Sequence, residues 1–71
     1  MTMPLAMAEA GKELYIKKIG GREDVRSHLA QLGFVVGGMV KIISVIGGNL
    51  IVQVKESRIA VSREMAMKII V

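Results

Sequence analysis

Apolar residues recur at helical spacing in one extended stretch, Asp24 to Val45 (DVRSHLAQLGFVVGGMVKIISV). Val25, Leu29 and Leu32 fall on one face, which predicts a helix over Arg22 to Leu32. Gly21 is an acceptable N-cap, and Glu23 and Asp24 place negative charge at the positive end of the helix dipole. Gly33 suits a left-handed C-cap, and Phe34 stands where a Schellman motif wants a hydrophobic residue, folding back on Leu29. After Gly37-Gly38 the pattern turns extended. A helix this short does not stand alone in water, so its apolar face must be held against a sheet.

The other segments supply that sheet. Pro4 to Gly11 reads as a lead-in, with Leu5 and Ala8 touching the core and Gly11 turning into the first strand. Met1, Met3 and Met7 read as a loose start plus gap filling. In Glu13 to Ile19 (ELYIKKI), Leu14 and Ile16 alternate as in a half-buried strand, and Ile19 joins them after a slip. Gly20-Gly21 is a break.

Met39 to Ile46 is β-branched and apolar enough for a central strand. Gly47-Gly48-Asn49 is a hairpin signal, Leu50 to Lys55 pairs back, and Glu56-Ser57 makes the next turn. Arg58 to Ser62 alternates, Ser62 caps a single helical turn (REMA) with Glu64 near its start, and Lys68 to Val71 closes the sheet. The expectation is a mainly β fold: a small, strongly bent barrel of about five strands with one short inserted helix.

Length and composition narrow the class. A chain of 71 residues is one domain, 1–71, with 1–10 as a partly flexible lead-in. A domain of this size buries only about 60% of its unfolded surface. Yet 52% of the residues are apolar and the mean hydropathy is positive. Some apolar surface is therefore expected outside the core, marking partner or self-association sites. The chain has no cysteine, so it has no disulfide and no thiolate metal site. MTMPLAMAEAG lacks the basic start of a secretory signal, and no apolar run approaches the roughly 18 residues of a membrane span. These features point to a soluble cytoplasmic protein that does not itself span a membrane.

The formal net charge is +4, but the basic residues are scattered: only Lys17-Lys18 adjoin, and between Leu29 and Val54 the one charge is Lys41. Tyr15 and Phe34 are the only aromatics. A nucleic-acid face would bunch its basic residues or interleave them with aromatics, so a mildly basic solvated surface is the better reading.

Candidate chemistry is sparse. Gly33 and Gly38 have the spacing of GxxxxGK[ST], but Met39 and Val40 follow, and the segment runs helix to strand rather than strand to helix. Asp24 and His28 lie one helical turn apart and are weak metal candidates; the stronger reading makes His28 a boundary residue paired with Asp24. No serine has a base held by a third group, and Glu23-Asp24 diverge on a helix, so no active site and no cofactor site is read. Met39, Met65 and Met67 suit core packing better than a pliable binding surface. Val35-Val36 reads slightly better as a pair of core plugs; left exposed, they would form a docking knob.

The segments PLAMAEAGKELYIKKI, RSHLAQLGFVVGGMVKII and GGNLIVQVKESRIAVSREMAMKIIV together resemble the FeoA family of small bacterial ferrous-iron transport proteins. The most specific parts are Leu32-Gly33-Phe34 with Gly37, and Ser57 to Ile69. Family members typically carry a proline before the glycine that opens the second strand, where this chain has Val36.

The resemblance implies an SH3-like β-barrel with an inserted helix. It also implies a cytoplasmic accessory of FeoB, the membrane ferrous-iron transporter with a cytosolic GTPase domain. The related domain at the C-terminus of iron-dependent repressors shares the fold, but here it stands without DNA-binding helices. Two aromatics are too few for a PxxP groove. The helix and the turn after it decorate an otherwise plain barrel, which makes Arg22, Arg26, His28, Val35 and Val36 the candidate partner-binding residues. Two other readings stay open at this stage: an SH3-like nucleic-acid-binding module, and a small metal-binding chaperone using His28 and Asp24.

Overall fold

The computed structural model describes residues 2–71; Met1, read as part of a loose start, lies outside the described residues. Six strands run in chain order with two helices: β1 (Glu13–Tyr15), β2 (Lys18–Ile19), α1 (Glu23–Leu32), β3 (Met39–Ile46), β4 (Asn49–Val54), β5 (Ser57–Ser62), α2 (Arg63–Ala66) and β6 (Ile69–Ile70). A 3₁₀ turn, Leu5–Met7, precedes them. They form a four-stranded sheet, β1-β3-β4-β5, and a two-stranded sheet, β2-β6. The two sheets share one core, an SH3-like arrangement in which the hydrogen-bond ladder does not run unbroken around a barrel.

The sixth strand comes from the slip at Ile16. The stretch Glu13 to Ile19, expected as one strand, changes partner midway. The Ile16 N–H donates to the Gly38 carbonyl (2.9 Å), next to the β1–β3 ladder, and the N–H of Lys17 donates to Ile70 in the other sheet (2.7 Å). Ile16 is buried at this corner. Alternation fails there because a strand that changes sheets changes its inward face.

Helix α1 starts one residue later than expected. Its N-cap is Arg22, not Gly21, and no side chain caps it. Glu23 and Asp24 occupy the first turn as read. At the other end the Schellman motif is complete: Gly33 adopts φ 109° and its N–H donates to Ala30, while the Phe34 N–H donates to Leu29 (3.0 Å). Leu29 and Phe34 are both fully buried. Val25 and Leu32 are half-buried and pack against the same core.

Strand β3 is central, between β1 and β4, but it is not straight. Its register against β4 shifts between Ile42 and Ser44, so Ile43 is a bulge that bends the sheet. Beyond it Val45 and Ile46 stand exposed at the tip of the β3–β4 hairpin. The β4–β5 turn is Lys55-Glu56, one residue earlier than expected, with Lys55 at φ 56°. Ser57 therefore belongs to β5.

Leu5 is buried and Ala8 half-buried, as expected of the lead-in. Met3 is not loose, since it exchanges backbone hydrogen bonds with Val71, and neither Met3 nor Met7 fills a gap, because both are exposed. Met65 packs against the core, whereas Met67 is exposed.

Ser62 caps α2 as the sequence indicates: its hydroxyl oxygen accepts from the Met65 N–H (3.2 Å). The cap holds α2 in place to bury Ala66. Ser62→Ala is expected to lower stability by about 1 kcal/mol, measured by urea unfolding at constant m.

Candidate partner-binding surface

Helix α1 hands the chain to β3 through Phe34 and a four-residue turn. The Gly38 N–H donates to the Val35 carbonyl (2.9 Å), and Gly37 takes φ 87° while Val36 keeps a negative φ. That is a type II turn with glycine at its third position. A Cβ on Gly38 would lie 3.0 Å from the Val35 oxygen that closes the turn. The turn is tied to the sheet on its far side, where the Gly37 N–H donates to the Ile16 carbonyl (2.7 Å).

This geometry turns the two valines outward. Val35 is 40% and Val36 64% exposed. The core-plug reading is therefore wrong. The core position is taken by Phe34, and a type II turn closed immediately after it points the next two residues away from the interior. Tyr15, also exposed, adjoins the turn through Ile16 and pairs with Met39 across the β1–β3 ladder. Tyr15 also lines an open depression of about 260 Å³ with Met3, Glu13, Leu14, Lys17 and Val71. Sequence reasoning missed Tyr15 as a surface residue. Its signal was its place in the alternation, between inward Leu14 and Ile16.

Val36 occupies the second turn position, which favours proline, and its N–H has no backbone partner among the described residues. Val36→Pro is expected to stabilise the fold by about 0.4–1 kcal/mol, through the entropy of the unfolded chain. The check is thermal unfolding; a lowered midpoint would mean that the turn is not type II.

The structure does not gather the helix candidates into one site. Arg22, Arg26 and His28 are all exposed. Arg22 and Arg26 lie one turn apart on one side of α1, and His28 follows Arg26 by roughly 200° around the axis. Arg22 is separated from the turn by the helix length, about 15 Å. The expected Asp24–His28 pair does not form. Asp24 accepts instead from the Val25 N–H (2.9 Å) and faces Arg22 at 3.9 Å, with both side chains well exposed. An ion pair this long and solvated contributes little. Among the described residues no three His, Cys, Asp or Glu side chains converge as a metal site.

Nothing at this surface is buried and polar; among the described residues the core is wholly apolar. The fold and the turn together define a small SH3-like module that carries an apolar knob on a hydrogen-bonded turn. The chain belongs to the FeoA family: the FeoA domain model matches residues 3–71.

A candidate Fe(2+) transport protein A from Methanocaldococcus jannaschii is 38% identical over 96% of this chain and 83% of its own length. The crystal structure of an iron uptake regulatory protein, FeoA, superposes with a TM-score of 0.90 at 21% identity, covering 99% of this chain and 95% of that one; it shows the shared fold. The FeoA of Stenotrophomonas maltophilia, solved with zinc, is described as an SH3 domain protein and a candidate activating factor of ferrous iron transport. It matches with a TM-score of 0.79 and 25% identity over 97% of this chain and 86% of its own. Among the described residues no helix is long and apolar enough to cross a membrane.

Proposed function

We propose that this protein is a cytoplasmic accessory of ferrous iron uptake that acts by contact with the GTPase-containing cytoplasmic part of FeoB, through the Val35–Val36 turn. One observation carries the site: two aliphatic side chains are held outward on a turn that hydrogen bonds brace from both sides. Exposed aliphatics cost solubility, and a braced loop presents them at little entropic cost to a partner. Tyr15, beside the turn, adds an amphipathic anchor of the kind enriched at interfaces. Arg22 and Arg26 on α1 would sit at the rim and affect the association rate more than the affinity. Family membership supplies the transport context.

The test is titration of the chain against the soluble cytoplasmic part of the transporter and against the whole transporter in detergent. Binding in at least one setting is expected. Absence of binding in both would overturn direct contact.

A further inference from the structure

The net charge of +4 is not spread evenly over the fold. Glu9 pairs with Lys12 at 2.8 Å, and Glu13 lies opposite Lys41 across the β1–β3 ladder. Glu56 and Glu64 each follow directly on a basic residue, Lys55 and Arg63. With those neighbours set aside, Arg58 is left on β5. The rest of the charge falls at the β2–α1 end: Lys17, Lys18, Arg22, Arg26 and Lys68, five basic residues, against Glu23 and Asp24.

The fold brings together lysines that lie fifty residues apart in the chain. In the β2–β6 pair Lys18 is opposite Ile70 and Ile19 opposite Ile69, and the Gly20 N–H donates to the Lys68 carbonyl (2.7 Å). Lys18 and Lys68 are therefore diagonal neighbours, about 7–8 Å apart, on the face turned away from buried Ile69. Lys18 is exposed and Lys68 half-buried. The Lys68 stem packs over the glycine loop that enters α1: a Cβ on Gly21 would lie 2.9 Å from its Cδ and 3.5 Å from Cγ1 of Val25. A lysine packed by its stem keeps its ammonium in water. Arg22 follows this loop, and Arg26, one helical turn further, extends the charge along α1; both are exposed.

We infer that this patch, centred on Lys18 and Lys68, docks on the anionic headgroups of a lipid bilayer. Charge complementarity selects an anionic partner. None of Lys18, Arg22, Arg26 and Lys68 lines the open depression beside Tyr15, so the cations stand on open surface and suit a plane of many anions better than one enclosed ligand. Single-stranded nucleic acid would want aromatic platforms, but Phe34 is in the core and Tyr15 is on β1. The patch also adjoins the turn, since the Ile16 carbonyl that braces Gly37 is two residues from Lys18. The choice of a membrane rests on the proposed contact with a membrane transporter, which would bring this end of the molecule close to the bilayer.

Co-sedimentation with vesicles tests it, at about millimolar lipid and about 0.1 M salt. The vesicles are phosphatidylcholine alone and an equal mixture of phosphatidylcholine and phosphatidylglycerol. The native chain is expected to bind the mixture only, and to be released at about 1 M salt. Lys18→Gln and Lys68→Gln should each weaken binding about fivefold. Lys12→Gln, which removes the same charge outside the patch, should change it by less than about twofold. If Lys68→Gln disturbs the glycine loop, Lys18→Gln, at an exposed position, decides alone. Vesicle binding needs no transporter, and titration against the soluble cytoplasmic part of the transporter needs no lipid, so failure of one contact is distinct from failure of the other. No binding to the mixture, equal binding to both vesicles, or equal losses in Lys12→Gln and Lys18→Gln overturns the inference. A chain that retains single-stranded RNA but ignores the vesicles assigns the patch to nucleic acid and overturns it too.

Discussion

Phe34→Ala is expected to remove most of the stability of this domain. Phe34 is the largest fully buried side chain among the described residues. Truncating a buried phenylalanine to alanine costs about 3–5 kcal/mol, in lost burial plus the cavity left behind. A chain of 71 residues has, at about 0.05–0.15 kcal/mol per residue, roughly 4–11 kcal/mol in total. The loss is thus between about a quarter and all of it. Phe34 also anchors the Schellman contact, so its loss frees the end of α1 and the turn that carries Val35 and Val36. Urea unfolding should show a much lower midpoint, or no native baseline at all. A loss under about 1 kcal/mol would mean that Phe34 is not the plug it looks to be.

Gly33→Ala should give the second largest effect, for two separable reasons. The residue sits at φ 109°, where a Cβ is strained, a cost of about 1–2 kcal/mol. Its Cβ would also lie 3.1 Å from Cγ1 of Val54, itself 2% exposed and unable to give way freely. Crowding of a packed core adds about 1–3 kcal/mol. Gly37→Ala separates the two terms. It shares the positive φ, at 87°, but its Cβ would meet nothing within 4 Å. Gly37→Ala should therefore show the backbone cost alone, and Gly33→Ala clearly more. Equal losses in the two variants would remove the Val54 contact from the account.

The helix and its stop were legible because their signals are local. Heptad-like spacing of Val25, Leu29 and Leu32, glycine after the last of them and an aromatic after that define the cap almost by themselves. The hairpin at Gly47-Gly48 and the Ser62 cap were readable for the same reason. What failed depended on partners distant in sequence. The change of sheet at Ile16 left only a break in alternation, since β-strand alternation reports the face and not the neighbour. The bulge at Ile43 lies in a run of β-branched residues that looks uniform in the sequence. Lys55-Glu56 carries none of the residues that mark a positive-φ turn.

The candidate surface was half visible. Val35 and Val36 stood out as two aliphatics with no place in either periodicity, but hydrophobicity alone argued for burial. Only the turn geometry, with Phe34 taking the inward position, decides that they face outward. The helix candidates Arg22, Arg26 and His28 were grouped by nearness in sequence, which on a helix scatters residues around the axis. Asp24 and His28, correctly placed one turn apart, did not pair for a different reason: Asp24 found its partners at the N-terminus of its own helix.

The most direct test of contact through the turn is calorimetric titration of the GTPase-containing cytoplasmic part of FeoB with three forms of this protein: native, Val36→Asp and Val36→Pro. Val36→Asp puts a charge on an exposed position, so its unfolding midpoint should stay close to native while its affinity falls by about tenfold or more. Val36→Pro keeps an apolar surface on a stiffer turn and should bind at least as tightly as native. A Val36→Asp variant that binds the transporter with native affinity would contradict the account.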